Sequence, residues 1–206
     1  MKKHFSGACI IIFACVALIH YGCSNPASNP QIVADTAKKE LSHAEMVARG
    51  KYLVTIVGCN DCHSPKVMTA QGPVPDTSKL LSGHPANAPL PSINKNALKP
   101  GDWILFGPDL TSAVGPWGIS FSANLTPDTA TGLGAWTEDV FIKTLRTGKH
   151  LGQPGGRAIL PPMPWEEFAQ ASDEDLKSIF AYLKALPAIN NKVPSPVPPN
   201  EVEKMK

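Results

Sequence analysis

The feature that most constrains this chain is one pentapeptide, Cys59-Asn60-Asp61-Cys62-His63. Two cysteines at this spacing can form a redox dithiol, half of a zinc site, a disulfide in an oxidising compartment, or the attachment point of a prosthetic group. A redox dithiol favours a thioredoxin-like strand setting, which the surrounding sequence lacks, and zinc needs a second pair of ligands at a suitable spacing. The histidine that directly follows the second thiol favours the last use.

Cys-x-x-Cys-His is the pattern by which haem is attached covalently. Two thiols add across the two vinyl groups on one edge of the haem, and the next residue brings an imidazole beneath the iron. The motif therefore predicts one haem c, bound through Cys59 and Cys62, with His63 as the first axial ligand of the iron.

A second axial ligand is needed to complete the iron site. The candidates in the folded domain are His43, His84, His150, Met46, Met68 and Met163. We favour Met163, because the prolines of Pro161-Pro162-Met163-Pro164 restrict the backbone and can hold a weak thioether ligand in place. His150 is the main competitor, and Met163 as a core-filling side chain is the other alternative.

The first 22 residues are typical of a bacterial export signal. A short basic stretch precedes an apolar run from Ala8 to Ile19, which is shorter than the roughly 20 residues that a membrane-spanning helix requires. The Gly22-Cys23 pair resembles the processing site of bacterial lipoproteins, which predicts that Cys23 carries lipid and anchors the protein to a membrane. An uncleaved or differently cleaved leader is the alternative.

Four regions follow from these signals. We expect a lipoprotein-type signal peptide in residues 1–22, a flexible tether in residues 23–41, a cytochrome domain in residues 42–190 and a proline-rich disordered tail in residues 191–206.

Within the domain, three helices are predicted from their first residues. A capping box begins at Ser42, and Thr137 and Ser172 are each followed by acidic residues that favour a helix start. Between the first two helices, nine prolines from Pro65 to Pro116 predict a long loop insertion. We therefore expect a loop-rich scaffold of short helices and turns with a proline-rich insertion.

The charge of the exported protein argues against a nucleic acid partner. Lys2 and Lys3 are the only Lys, Arg, Asp or Glu side chains in the first 22 residues, so the remainder has 17 basic and 17 acidic side chains. Phosphate binding requires a basic surface, and the sequence contains no cluster of that kind.

Several further motifs resemble those of bacterial exported class I cytochromes c, including domains of the cytochrome subunits of alcohol and gluconate dehydrogenases. They are Asn124–Asp128, Gly132–Thr137, Pro161–Trp165 and Ser172–Leu176, and the resemblance covers roughly residues 44–194. It implies an all-α cytochrome c fold, with short helices around one covalently bound haem, in which the first and last helices cross near Gly50 and Tyr182. It also implies that the carbonyl oxygen of Ala123 accepts the Nδ1 proton of His63.

The resemblance and the haem motif together predict an electron carrier and not an enzyme, with no catalytic residues. Its iron would cycle between Fe(III) and Fe(II), and its partners would be redox proteins on the periplasmic side of a bacterial membrane. A haem peroxidase or gas sensor with a displaceable sixth ligand is one alternative. A cytochrome subunit of a larger dehydrogenase complex is another, although those subunits usually carry several haem motifs and this chain carries one.

Overall fold

The computed structural model describes residues 40–205, so the predicted signal peptide, Cys23 and almost all of the predicted tether lie outside the described residues. The helices are α1 (His43–Ile56), α2 (Cys59–His63), α3 (Glu138–Thr147), α4 (Trp165–Phe168), α5 (Asp173–Lys184) and α6 (Pro199–Val202). Short 3₁₀ turns cover Thr77–Lys79, Lys95–Leu98 and His150–Gly152. Among the described residues, no helix is long and apolar enough to cross a membrane.

The prediction of an all-α fold is wrong, because the insertion contains two small antiparallel sheets. The strands are β1 (Lys66–Thr69), β2 (Gly72–Pro75), β3 (Leu105–Phe106), β4 (Ser112–Gly115) and β5 (Gly118–Phe121). The first sheet is the hairpin β1-β2, and the second has the order β3-β4-β5. The insertion forms strands because two-residue turns close the hairpins β1-β2 and β4-β5. Across these strand pairs Val67 lies opposite Val74, and Val114 lies opposite Ile119.

The helix starts agree with the sequence predictions. At α1 the Ser42 hydroxyl accepts from the Glu45 N–H at 3.3 Å, and the Glu45 carboxylate accepts from the Ser42 N–H at 2.8 Å. Thr137 and Ser172 cap α3 and α5 through their hydroxyls in the same manner. Each cap satisfies a backbone donor that the first turn of a helix leaves unpaired.

Helices α1 and α5 cross at Gly50, as the resemblance implied. A Cβ on Gly50 would lie 1.9 Å from the carbonyl oxygen of Ser178 and 2.8 Å from Cβ of Tyr182. Only a residue without a side chain permits this approach. The main core forms around the crossing, and its buried members are Val54, Leu81, Leu133, Phe141, Leu145, Leu176, Ile179, Phe180 and Leu183.

A second, smaller core joins the insertion to the C-terminal segment. Its buried members are Ala97, Val114, Ile119 and Val202. Val197 pairs with Ile119 through two backbone hydrogen bonds of 2.8 and 3.0 Å, and Val202 is fully buried. These residues were expected to form a disordered tail, but their apolar side chains cover the sheet of the insertion.

Candidate haem site

Helix α2 carries the two cysteines and the histidine on little more than one turn. Cys59 and Cys62 are separated by three positions, which places them on the same side of a helix. Both thiols are unpaired and partly buried. Gly58, at φ +72°, turns the chain from α1 into α2, and a Cβ at this position would lie 2.7 Å from the carboxylate of Asp61.

The two thiols are protonated at neutral pH. The pKa of Cys59 is raised to about 11, mainly by burial, with smaller contributions from Cys62 and Asp61 and against one backbone hydrogen bond. Burial also raises the pKa of Cys62, again with a contribution from Asp61. The sulfurs therefore retain the S–H groups that add across a vinyl group.

His63 is held in one tautomer by the backbone. Its Nδ1 lies 2.8 Å from the carbonyl oxygen of Ala123, as predicted from the resemblance. Because a carbonyl only accepts, Nδ1 carries the proton and the lone pair of the neutral ring is on Nε2. Burial lowers the pKa of His63 more than the hydrogen bond to Ala123 raises it, so the ring stays neutral. A neutral imidazole with Nε2 available is the form that binds iron.

A loop segment, residues 81–84, connects His63 to the backbone around its acceptor. The N–H of Gly83 donates to the carbonyl oxygen of His63 at 2.8 Å, and the N–H of His84 donates to that of Ser122 at 2.9 Å. The segment is thus hydrogen-bonded both to the backbone of His63 and to Ser122, the residue before the acceptor Ala123. The sequence analysis did not assign it this role.

Gly83 permits the close contact between this segment and the backbone around Ala123. Its φ is +78°, and a Cβ would lie 2.5 Å from the carbonyl oxygen of Ser122 and 2.6 Å from the carbonyl carbon of Ala123. Two positions after Ala123, the N–H of Leu125 donates to the carbonyl oxygen of Leu81 at 2.8 Å. The peptide of Ala123 is therefore fixed by hydrogen bonds before and after it.

Asn191 fixes the same segment from the C-terminal part of the chain. Its side-chain amide donates to the carbonyl oxygens of Ser82 at 2.7 Å and His84 at 2.9 Å. Its amide oxygen accepts from the N–H of Ala86 at 3.0 Å. No local sequence signal indicated this role, because the three partners lie more than 100 positions earlier in the chain.

His84 is a buried structural residue, only 3% exposed. The Thr111 hydroxyl donates to the carboxylate of Asp109 at 2.8 Å, so its oxygen accepts from Nδ1 of His84 at 2.6 Å. The ring also packs against Phe121, with 4.8 Å between ring centroids. Burial lowers the pKa of His84, and the charge of Asp109 opposes this.

Met163 lies in the loop before α4 and borders the main core. Its side chain is half-buried and packs against the same cluster as Cys59. The loop is held at one end by the Ser120 hydroxyl, which donates to the carbonyl oxygen of Pro161 at 2.7 Å, and the Pro161–Pro162 peptide is cis. The axial role of Met163 stays a prediction.

The other candidate ligands occupy different surroundings. His43 is exposed at the start of α1, where Met46 is half-buried, and Met68 is 70% exposed on the β1-β2 hairpin. The ring of His150 contacts Trp136 edge to face, with 5.7 Å between centroids.

The donor set fits a covalently bound haem. It consists of two unpaired thiols on one helical turn, an imidazole whose Nε2 is available, and a soft thioether on a loop that borders the same core. Within residues 40–205, no group of three or more His, Cys, Asp and Glu side chains is arranged to hold a metal ion directly.

Comparison with known proteins finds several cytochrome subunits of dehydrogenases. The chain is 30% identical to the gluconate 2-dehydrogenase cytochrome c subunit of Pantoea cypripedii over 137 residues, which is 66% of this chain and 22% of the relative. It is 37% identical over 83 residues, or 38% of the chain, to the cytochrome c subunit of the quinone-type alcohol dehydrogenase of Gluconobacter oxydans, covering 16% of that protein.

A third relative is the fructose dehydrogenase cytochrome subunit of Gluconobacter japonicus. It is 26% identical over 142 residues, which is 69% of this chain and 21% of the relative. The chain thus spans about a fifth of the length of the curated relatives it matches. No family model matches the chain. The predicted resemblance to c-type cytochromes is confirmed by these relatives, which imply haem c as the cofactor.

Proposed function

We propose that this chain is a monohaem cytochrome c that carries single electrons between redox proteins. The observation that carries the proposal is the hydrogen bond from Nδ1 of His63 to Ala123, directly after two unpaired thiols. This bond gives the imidazole the tautomer that an iron ligand requires, at the position that the attachment motif requires. The similarity to dehydrogenase cytochrome subunits supports an electron-transfer component and not a catalytic subunit.

In this function each residue has one task. Cys59 and Cys62 would hold the haem through thioether bonds, and Nε2 of His63 and the sulfur of Met163 would bind its iron. The haem supplies one-electron reduction and oxidation when bound. Ala123 makes the imidazole a stronger donor by accepting its Nδ1 proton. The hydrogen bonds of Gly83 and His84 hold this arrangement, so little of the protein has to move when the charge of the iron changes.

Met163 decides between a carrier and the alternative functions. A tightly bound thioether closes the sixth position to peroxide and gases, and it raises the reduction potential relative to a bis-histidine site. A displaceable ligand would favour a haem peroxidase or a gas sensor. The prolines on both sides of Met163 and the hydrogen bond to Pro161 favour a closed site, because they limit the freedom of the loop.

The partners follow from the relatives. Their names describe cytochrome subunits of gluconate, alcohol and fructose dehydrogenases, so we propose that the electron donor of this chain is a dehydrogenase. We further propose that the protein acts on the periplasmic side of a bacterial membrane, anchored by lipid on Cys23.

The test is covalent haem attachment in a host that matures c-type cytochromes. The intact mass of the purified protein should exceed that of the processed polypeptide by one haem, and the haem should remain attached under denaturing conditions. Cys59→Ala and Cys62→Ala should each leave at most one thioether bond. A wild-type protein whose haem is lost on denaturation, or that contains none, would contradict the proposal.

A further inference from the structure

Lys66 binds the end of the attachment helix α2. It is the first residue of β1, and its Nζ donates to the carbonyl oxygens of Asn60 at 3.0 Å, Asp61 at 2.9 Å and Ser64 at 2.5 Å. The first two carbonyls belong to the last turn of α2, where a helix leaves these groups without internal partners. A lysine at this position satisfies them and interacts favourably with the negative end of the helix dipole.

The ammonium group of Lys66 lies beside the cofactor-binding residues. Two of the carbonyl groups that it binds belong to Asp61, which directly precedes Cys62, and to Ser64, which directly follows His63. Burial lowers the pKa of Lys66 itself, although Asp109 and Asp61 raise it, so the ammonium group is partly desolvated. A charge in such surroundings is screened less than one on the open surface.

We propose that Lys66 is a positioning residue for the haem-attachment helix and a cation that raises the reduction potential of the iron bound by His63. This inference rests on the proposed function. Reduction adds one electron from a donor protein to Fe(III) and gives Fe(II), without breaking a bond or transferring a proton. A nearby positive charge favours Fe(II), because Fe(II) carries one positive charge less than Fe(III). Lys66 therefore stabilises the reduced protein.

The experiment compares the reduction potentials of haem-loaded variants in a spectroscopic redox titration. Lys66→Met and Lys66→Gln remove the charge, and Lys66→Arg retains it. Lys99→Met is the matched control, because it removes an equal charge from a lysine in the insertion whose Nζ donates to the side chain of Asn96 at 3.1 Å. Glutamine is included because it keeps a hydrogen-bond donor for the end of the helix.

The expected result is a lower potential in both neutral variants. The ratio of ferrous to ferric protein at a fixed solution potential should fall severalfold, whereas Lys66→Arg and Lys99→Met should stay near the wild type. A set of haem-loaded variants with equal potentials would overturn this inference alone. A wild-type protein without haem would overturn the proposed function as well, so the two failures are distinguishable.

Discussion

Nδ1 of His63 and the carbonyl oxygen of Ala123 lie 2.8 Å apart although 60 positions separate the two residues in the chain. The intervening residues contain both sheets, and residues 81–84 lie beside the bond and hydrogen-bond to the backbone on each side of it. The long insertion is therefore part of the support of the haem ligand. This relationship leads to the first prediction.

Gly83→Ala should destabilise the protein by more than about 1 kcal/mol, because the substitution combines a positive φ with a clash against the backbone of Ser122. Gly101→Ala is the matched control, since Gly101 has φ +87° and nothing within 4 Å of the added Cβ. The free energy of unfolding in denaturant measures both. Equal losses in the two variants would show that the clash contributes nothing.

Gly50→Ala should separate α1 from α5. The added Cβ would lie 1.9 Å from the carbonyl oxygen of Ser178, and overpacking of this kind costs about 1–3 kcal/mol. Alanine favours a helix by about 1 kcal/mol over glycine, so a net loss shows that packing dominates. Thermal unfolding provides the measurement, with Gly155→Ala, which has open space around its Cβ, as the control. A stabilised Gly50→Ala variant would contradict the observed crossing.

His84 should make stability depend on pH below about 6.5, its ordinary pKa. Burial lowers its pKa in the folded state, and the facing carboxylate of Asp109 opposes this only partly. At higher pH the imidazole of His84 is neutral in both the folded and the unfolded protein. As the pH falls below about 6.5, the imidazole is protonated in the unfolded chain before it is protonated in the folded protein. The folded state therefore loses stability until the pH reaches the lowered pKa that His84 has in the folded protein.

The measurement for His84 is the free energy of unfolding between pH 7.5 and 5 in the wild type and in His84→Gln. Glutamine can still donate to the hydroxyl of Thr111, so the slope with pH, and not the absolute stability, is the relevant quantity. The variant should lose less stability than the wild type over this range. Parallel curves would show that His84 does not contribute to the pH dependence.

Val202→Ala tests whether the C-terminal segment belongs to the folded domain. Val202 is fully buried in the second core, and truncating it should cost about 2 kcal/mol. Val74, which is 41% exposed, provides the control, and Val74→Ala should change stability by less than about 0.5 kcal/mol. Chemical denaturation measures both. An unchanged stability in Val202→Ala would favour the solvated tail that the sequence suggested.

Helix starts could be predicted from the sequence because their signals are local. Ser42, Thr137 and Ser172 each bond a donor within three positions, so the pattern and the contact lie in the same few residues. The attachment motif is local for the same reason. The crossing at Gly50 and the acceptor at Ala123 came from the resemblance to known cytochromes, since neither contact can be read from neighbouring residues.

The sheets and the support of the ligand could not be predicted because they depend on distant partners. The strands have two to four residues each, which is too short for an alternating pattern to stand out between prolines. Asn191 reaches carbonyl groups more than 100 positions away. The C-terminal prolines and charges suggested a tail, whereas the pairing of Val197 with Ile119 and the burial of Val202 make this segment part of the fold.

The most direct test of the proposed electron carrier is the visible spectrum of the reduced protein with and without carbon monoxide. Wild type and Met163→Ala are compared, with Met68→Ala as the control because Met68 is 70% exposed. We predict that carbon monoxide leaves the spectra of the wild type and Met68→Ala unchanged and shifts that of Met163→Ala. A wild type that binds carbon monoxide readily has an open sixth position, and this would contradict the carrier in favour of a haem enzyme or gas sensor.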